Sequence, residues 1–399
     1  MKPSYQRKKF ITMLLLVSII TPFLLMLVSP VIYCAATSSE EGPGTFDWLK
    51  GILLLIISFF INNFVDKNEE DQEARPGESP LDEDIISNRE ILGFYVNWLT
   101  PYANSYDAMV SNHRYVDMVA PFWFTANPDG TIKSRYGGHQ YEVDSFSKRQ
   151  GLELLPLINN NQKNNMILVD SDVRSKTIKN IVKLVEKYNY NGVNIDFEFI
   201  PPWTRNGYTQ FIKELSSELN KKNKKLTISV FPKIDVPMEL QGAYDYAALG
   251  KLVDRVVIMT YDHHWPSGDP GPIAPINWVE KNIKYALEYI PNEKLLIGVA
   301  NYGYDWPEGG PGRPISAKEA MNLAREKGVK VQWDTPSQSP YFYYQDNSGI
   351  KHEVWFESSS SLAFKLELVK KYNLKGIAIW RLGNGTDRFW EIIDNKLGQ

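Results

Sequence analysis

The sequence is almost without cysteine: its 399 residues include only Cys34. A single thiol can form neither a disulfide within one chain nor a cysteine-based metal site. An excess of one charge is also missing, because 44 lysine and arginine residues stand against 47 aspartate and glutamate residues, a net charge of −3. This balance gives no indication of a nucleic acid or another polyanion as partner. The length allows two or three domains and also fits a single large α/β barrel.

A long apolar run stands near the N-terminus. A basic cluster at positions 7–9 precedes Phe10 to Tyr33, a stretch long enough to cross a bilayer. Because basic residues favour the cytoplasmic side, we expect the chain after this run to lie outside the cytoplasm. Residues 1–36 then form either a membrane anchor, which we favour, or a signal peptide cleaved near Cys34, which would leave a secreted protein.

A second apolar run, residues 51–64, is shorter and is interrupted by Asn62 and Asn63. It is either a second span or an interfacial helix, and the acidic residues that follow it give no positive-inside signal for a return to the cytoplasm. The region 37–88 therefore consists of this run and an acidic, solvated linker. We expect the folded domain to occupy residues 89–399 and to be monomeric.

From Glu90 onward, short apolar runs alternate with amphipathic helical stretches. The strand candidates are 91–96, 116–124, 153–158, 192–198, 226–231, 255–260, 295–300 and 376–380. Helical spacing of apolar residues marks 175–188, 208–221 and 277–289. Eight strands joined by helical crossovers predict an α/β fold, the (β/α)8 TIM barrel. A doubly wound sheet is the alternative, but no glycine-rich phosphate turn follows the first strand.

The unit before the last strand is too long for a simple crossover. Residues 303–374 contain a helical stretch, 317–327, and two β-like runs, 341–345 and 352–356, which Asp346-Asn347-Ser348-Gly349 separates as in a hairpin. We interpret this segment as a small α+β insertion after the seventh strand. Such an insertion would wall one side of a groove at the C-terminal face of the barrel, where barrel enzymes place their sites.

The run from Asn191 to Glu198 carries the clearest chemical pattern. Strand side chains alternate, so Asn194, Asp196 and Glu198 point to one side of an otherwise apolar run. Two facing carboxyl groups cannot both ionise freely, so one keeps a proton at neutral pH and can act as an acid. A solvated polar strand face is the plainer interpretation, but the apolar residues between the carboxyl groups favour burial.

Other strand ends bring further polar and aromatic groups to the same face of the barrel. The sixth strand ends in Met259-Thr260-Tyr261-Asp262, the eighth in Trp380-Arg381, and the first contains Tyr95. Rings bind the apolar faces of sugars while carboxylates and amides bind hydroxyls, so these residues predict a carbohydrate cleft. The adjacent His263 and His264 do not predict zinc, because neighbouring histidines diverge and no third ligand stands at a metal spacing.

Together these segments resemble glycoside hydrolase family 18, the chitinase-like barrels, whose fourth strand carries the signature D-x-x-D-x-D-x-E. The resemblance rests on residues 191–198, the Met-Thr-Tyr-Asp of the sixth strand, Trp380 and the insertion, and it covers roughly Glu90 to the C-terminus. Two aspartates of the signature are Asn191 and Asn194 here. This form is similar to a branch of bacterial spore cortex-lytic and germination-associated N-acetylglucosaminidases, which often carry LysM modules that do not occur in this sequence.

The resemblance implies a mechanism and a set of site residues. Glu198 is the expected acid and base, Asp196 orients the acetamido group of the substrate, and Tyr261 holds the acetamido oxygen. The residues expected to bind substrate are Asn194, Asp262, Trp380, Tyr95, Met259 and Arg381. The acetamido oxygen of the substrate itself is the expected nucleophile, so neither a metal nor an organic cofactor is expected.

The expected function is hydrolysis, with retention, of a polysaccharide that contains β-linked N-acetylglucosamine, and peptidoglycan is the first choice of substrate. Chitin or an exopolysaccharide is the alternative substrate. A non-catalytic sugar-binding protein on the same barrel is the alternative class. The expected partners are the N-acetylated polysaccharide and, through residues 1–36, the membrane; nucleic acid is not expected.

Overall fold

Parallel strands close into a barrel at the centre of the folded domain. The computed structural model describes residues 88–98, 105–160 and 165–398. The barrel strands are β1 (Glu90–Tyr95), β2 (Met118–Ala126), β4 (Glu153–Leu154) with β5 (Leu157–Asn160), β6 (Gly192–Asp196), β7 (Lys225–Val230), β8 (Arg255–Ile258), β9 (Leu295–Ala300) and β15 (Gly376–Trp380), and the short β3 (Ile132–Ser134) pairs antiparallel with β2. Because β1 pairs with both β2 and β15, the sheet is closed. The predicted eight-stranded barrel is confirmed, and the doubly wound alternative is excluded.

The third barrel strand differs from its prediction as one continuous run. It consists of β4 and β5, with Leu155 and Pro156 between them. Proline has no N–H to donate to the neighbouring strand, so the ladder is interrupted at Pro156. Strand pairing resumes at Leu157, because β5 pairs with β2 on one side and with β6 on the other.

Helices join most of the barrel strands. Those outside the insertion are α1 (Ser105–Asn112), α2 (Tyr141–Gln150), α3 (Met166–Val169), α4 (Ser171–Tyr188), α5 (Arg205–Asn220), α6 (Met238–Gln241), α7 (Tyr246–Leu252), α8 (Ile276–Leu287), α10 (Ser359–Lys371) and α11 (Asp387–Leu397), and α9 (Ala317–Glu326) belongs to the insertion. The helices predicted at 175–188, 208–221, 277–289 and 317–327 correspond to α4, α5, α8 and α9. In α4, the Asp170 side chain accepts from the first free N–H groups, and Asn189 ends the helix in a left-handed conformation, φ 52°.

The core has two layers, one on each face of the barrel wall. Alternating strand residues such as Leu92, Phe94 and Leu157 pack inside the barrel. The residues between them, such as Ile91 and Ile158, pack outward into the larger layer that the helices cover. Burying an aliphatic or aromatic side chain of this size contributes about 1.5–3 kcal/mol, so the two layers hold the strand ends, and hence the site, in fixed positions.

The segment between β9 and β15 contains the predicted insertion. Strands β10 (Tyr302–Pro307), β11 (Arg313–Ser316), β12 (Gln332–Asp334), β13 (Ser339–Gln345) and β14 (Lys351–Phe356) form an antiparallel sheet in the order β11-β10-β14-β13-β12, and α9 belongs to the same segment. The predicted hairpin is β13–β14, in which Asp346 and Ile350 close the turn and Gly349 adopts φ 83°. The sequence prediction missed β10, β11 and β12.

The apolar segments predicted at 1–36 and 51–64, and the linker that follows them, lie outside the described residues. Within the ranges that the structure describes, no helix combines the length and the apolar character that crossing a membrane requires.

Candidate active site

The two carboxyl groups predicted to be functional, those of Asp196 and Glu198, lie at the end of strand β6 and just after it. The strand ends at Asp196 instead of continuing to Glu198 as predicted. Glu198 is held by Asn160 at the end of neighbouring β5: the Glu198 N–H donates to Asn160 Oδ1 at 2.9 Å, and Asn160 Nδ2 donates to the Glu198 carbonyl at 2.9 Å. Phe199 then turns the chain away with φ 53°, an uncommon conformation for a bulky residue. The backbone on both sides of Glu198 is therefore fixed.

The carboxyl groups of Asp196 and Glu198 share a hydrogen bond. Burial raises the pKa of Asp196 well above its usual range, and the charge of Glu198 and the shared hydrogen bond raise it further. Burial and the nearby charge of Asp262 raise the pKa of Glu198 to about 7, against a smaller lowering by the hydrogen bond from Asp196. The pair therefore holds a proton at neutral pH, as a general acid requires. In the described part of the chain, Asp196 Oδ1 has no hydrogen-bond partner.

Asn194 lies below this pair and is completely buried. Its Nδ2 donates to Thr227 Oγ1 at 2.9 Å, and its Oδ1 accepts from Ser229 Oγ at 3.1 Å. Both partners are on β7, so the amide ties the two strands together inside the barrel. The structure thus places Asn194 next to the carboxyl pair without bringing it to the surface of a cavity.

A cavity of about 140 Å³, here called the polar pocket, opens above Asp196. It is lined by Phe94, Asp196, Glu198, Ser229, Met259, Tyr261, Asp262 and Trp380. Six of these eight are residues that the sequence assigned to the site; Phe94 and Ser229 are the additions. The rings of Phe94 and Trp380 lie 5.4 Å apart and form an aromatic wall.

Tyr95 and Arg381 do not line this pocket. The Tyr95 side chain packs in the outer core layer, and its hydroxyl donates to Gln140 Oε1 at 2.8 Å. Strand alternation explains the difference, because Phe94 faces the barrel interior and its neighbour Tyr95 must face outward. Arg381 is buried, and Asn301 binds its backbone N–H and carbonyl at 3.0 and 2.8 Å.

Two tyrosines of the insertion contact Asp262, which lines the polar pocket. This residue follows β8 in a left-handed turn, φ 56°, and its Oδ1 accepts hydrogen bonds from the hydroxyls of Tyr302 at 2.6 Å and Tyr304 at 2.9 Å. Although Asp262 is exposed to the cavity, the protein atoms around its carboxyl group partly desolvate it and raise the pKa of Asp262, while the hydrogen bonds from the two phenols lower it. The sequence analysis missed both tyrosines, although their two-residue spacing is the pattern of a strand face.

Tyr261 follows β8 and lines the same pocket as Asp196, Glu198 and Asp262. A Cβ atom at Gly298 would lie only 2.7 Å from Tyr261 Cε1, so the glycine leaves room for the phenol ring against β9. Burial, followed by the charges of Asp196 and Glu198, raises the pKa of Tyr261 well above its usual range. The residue is therefore a neutral hydroxyl at working pH, able to donate a hydrogen bond.

A second cavity of about 380 Å³, here called the apolar pocket, begins at the same acid. It shares Glu198, Met259, Tyr261 and Asp262 with the polar pocket and extends away from Trp380. Its further lining residues are Phe199, Phe231, Pro232, Asp235, Val236, Pro237, Leu240, His263, Trp265, Pro266 and Trp278. Glu198 thus lies at the junction of two cavities of different character.

The neighbouring histidines make different polar contacts, although their rings lie 5.0 Å apart. His263 lines the apolar pocket, whereas His264 Nδ1 is bonded to the carbonyl of Asp269 at 2.9 Å. Across the described residues, no three histidine, cysteine, aspartate or glutamate side chains are grouped as ligands of a metal ion.

Comparison with known proteins agrees with this geometry. Residues 90–385 match the family described as glycosyl hydrolases family 18. The chain is 30% identical over 296 residues to the cortical fragment-lytic enzyme of Bacillus subtilis (strain 168), covering 71% of this chain and 68% of the relative. The structure of the Bacillus cereus spore cortex-lytic enzyme SleL matches with a TM-score of 0.71 at 30% identity, covering 77% of this chain and 74% of that one.

A chitinase from Chromobacterium violaceum has the same fold. Its crystal structure matches with a TM-score of 0.73 at 29% identity, covering 78% of this chain and 99% of the chitinase chain. The family match spans the barrel and the insertion, and the carboxyl pair of β6 lies within it. The chain therefore belongs to glycosyl hydrolase family 18.

Proposed function

We propose that the protein is a retaining glycosidase that cleaves next to β-linked N-acetylglucosamine and uses the acetamido group of the substrate as nucleophile. The observation that carries this proposal is that Asp196 and Glu198, two residues apart at the end of one strand, line the same small pocket. A retaining enzyme with its own nucleophile needs its two carboxyl groups about 5 Å apart, on opposite sides of the sugar, and an inverting enzyme needs more. Two carboxyl groups on one wall of a pocket cannot straddle a sugar, so the nucleophile must come from elsewhere.

Glu198 has the properties of the acid and base. With a pKa raised to about 7, it is protonated in about half of the molecules in neutral solution, far more than an ordinary glutamate. In the first step the acetamido oxygen attacks the anomeric carbon, the bond to the leaving oxygen breaks, and Glu198 gives its proton to that oxygen. In the second step Glu198 takes a proton from water as the water attacks the same carbon, which restores the acetamido group and the β configuration.

Asp196 is suited to hold the acetamido group. Its Oδ1 is buried and without a partner in the described structure, so it can accept the acetamido N–H. As a positive charge develops on the oxazolinium ring, Asp196 stabilises it, and the proton that the carboxyl pair shares shifts accordingly. The neutral amide of Asn194 below it adds no competing charge.

The other residues of the polar pocket complete the sugar site. The Tyr261 hydroxyl donates to the acetamido oxygen, and Asp262 accepts a sugar hydroxyl. Trp380, with Phe94 beside it, provides an aromatic floor for the apolar face of the ring. All of these side chains except Phe94 were expected at the site from the sequence.

Peptidoglycan is the proposed substrate. The support comes from relatives named cortical fragment-lytic enzyme and spore cortex-lytic enzyme, to which the chain is 30% identical. The apolar segment that the sequence predicts at 1–36 agrees with action outside the cytoplasm, where peptidoglycan lies. Chitin is the second candidate, favoured by the chitinase match. Glu198, positioned and protonated, argues against a binding protein without activity.

Product analysis tests this function. We expect mass spectrometry to find fragments ending in N-acetylglucosamine after incubation with purified peptidoglycan, and fewer from chitin. Nuclear magnetic resonance of the first products should show the β anomer, and oligosaccharides lacking the N-acetyl group should stay intact. The Glu198→Gln variant is the control for contaminating activity. Efficient cleavage of a plain glucan, or an α-anomeric first product, would contradict the mechanism.

A further inference from the structure

The apolar pocket lies on the leaving-group side of the proposed scissile bond. In the proposed function, on which this inference rests, the acetamido sugar occupies the polar pocket with Asp196 and Trp380. Glu198 protonates the bridging oxygen at the edge of that pocket. The sugar beyond this oxygen must then enter the other cavity that Glu198 lines, which is the apolar pocket. At about 380 Å³ it has room for a sugar ring and a substituent.

The walls of the apolar pocket favour an uncharged ligand. Phe199 and Trp265 present rings that are 41% and 49% exposed, so they are available for stacking on a sugar. No lysine or arginine is among the described residues that line it, whereas Glu198, Asp262 and Asp235 bring carboxyl groups to it. An anionic substituent would meet these three carboxyl groups, and the nearby cation Lys281 is already paired with Asp235 at 3.8 Å.

His263 is the exception in this apolar environment. Its Nδ1 is buried, and among the described residues it has no hydrogen-bond partner. Burial lowers the pKa of the ring, so it is neutral, with one nitrogen as donor and the other as acceptor. Leaving such a group without a partner is unfavourable, and native proteins rarely do so away from functional sites.

The position of the His263 ring is fixed by its neighbours. The ring lies 4.8 Å from that of Trp278, whose indole N–H donates to the Ile234 carbonyl at 2.8 Å. The His263 backbone N–H donates to the Ile273 carbonyl at 2.9 Å. The backbone of His263 and one side of its ring are therefore held in place, and the unpartnered Nδ1 is buried in a residue that lines the apolar pocket.

We propose that His263 selects the leaving sugar by hydrogen bonding to an uncharged amide substituent on it. An acetamido group combines an amide, which either nitrogen of a neutral imidazole can bind, with a methyl group that suits the apolar walls. Peptidoglycan and chitin both carry this group on every sugar of the glycan. Selection would therefore operate on both sides of the scissile bond, through Asp196 on one side and His263 on the other.

A pair of oligosaccharides that differ in one group tests the proposal. Both carry N-acetylglucosamine in the polar pocket, and the leaving unit is N-acetylglucosamine in one and glucose in the other. We expect wild-type kcat/KM to favour the acetamido leaving unit by about tenfold, the effect of one buried hydrogen bond. His263→Ala should remove this preference by lowering kcat/KM for the acetamido leaving unit, with a smaller loss for the glucose-bearing substrate. His263→Gln, which retains a hydrogen-bonding group, should keep part of it.

His113→Ala is the matched control, because this histidine lines neither pocket and its Nδ1 is bonded to the Val110 carbonyl at 2.9 Å. It should retain the full preference. A preference that survives in His263→Ala would overturn the role of His263, while cleavage itself would still support the proposed function. A wild-type enzyme that cleaves neither oligosaccharide would overturn the proposed function and this inference with it.

Discussion

The polar and apolar pockets meet at Glu198, yet they are built from different parts of the fold. The polar pocket takes its functional groups from strands or from the residues directly after them: Asp196 ends β6, and Trp380 ends β15. The apolar pocket is made by the loops that follow β6, β7 and β8, with Trp278 from α8. Strand ends are held by the closed barrel, whereas loops can differ without disturbing it.

The two pockets differ in their proposed roles: the polar pocket carries out the reaction, and the apolar pocket selects the substrate. The polar pocket couples two carboxyl groups through one proton, so a change of about an ångström there alters the reaction itself. The apolar pocket has no such coupled pair of its own, and its partnerless polar atom is His263 Nδ1. Substitutions in the polar pocket should therefore affect every substrate, and those in the apolar pocket only some.

The largest expected effect comes from removing the acid at the junction. Glu198→Gln should lower kcat by a hundredfold or more on substrates with a sugar leaving group, the scale of a lost general acid. Binding should persist, because both pockets keep their walls, and calorimetry with an N-acetylglucosamine oligomer measures this. Glu308→Gln, an exposed carboxyl group outside both pockets, is the control. Near-normal turnover in Glu198→Gln would exclude this residue as the acid.

A smaller loss should follow from Asp196→Asn. The amide can still bond to Glu198, but it cannot neutralise the oxazolinium ion, and a hydrogen bond to a charged group contributes about 1.5–3 kcal/mol. This corresponds to a loss of about tenfold to a hundredfold in kcat. The leaving-unit preference measured with the two oligosaccharides should not change, since the substitution lies in the other pocket. A changed preference would show that the two pockets are not independent.

The two pockets also differ in how far the sequence alone could predict them. All eight barrel strands were located, and 295–300 and 376–380 match β9 and β15 at both ends, because buried parallel strands are continuous apolar runs. Asp196, Glu198, Tyr261 and Asp262, which the structure brings to one pocket, were predicted to lie together because each is in or next to such a run. The polar pocket was therefore largely predictable.

The apolar pocket was not predictable in this way. Phe231 and Leu240 contribute to it only because the loop after β7 folds back over the barrel, and that path depends on contacts far apart in sequence, such as the Asn282 side chain bonding to Lys233 and Ile234. Phe94 was missed because its neighbour Tyr95 was predicted at the site instead. A shift of one residue along β1 exchanges the side chains that face into and out of the barrel.

The smallest expected effect is a change in pH dependence. The acid must carry its proton to start the reaction, so kcat/KM should fall as pH rises through about 7, the pKa of Glu198. Because the charge of Asp262 contributes less to this raised pKa than burial does, Asp262→Asn should move this limb modestly to lower pH. The asparagine retains an oxygen for Tyr302 and Tyr304, so the pocket keeps its shape.

The control for this pH shift is Asp269→Asn, which removes a carboxylate outside both pockets and should leave the limb in place. The full pH profile of kcat/KM for each variant measures the displacement separately from any loss of substrate contact, because weaker binding lowers the whole curve without moving its limb. A limb that stays at its wild-type position in Asp262→Asn would mean that the charge of Asp262 does not contribute to the pKa of Glu198. Tyr302 and Tyr304 of the insertion, which hold Asp262 in place, would then affect the shape of the cleft but not the pKa of Glu198.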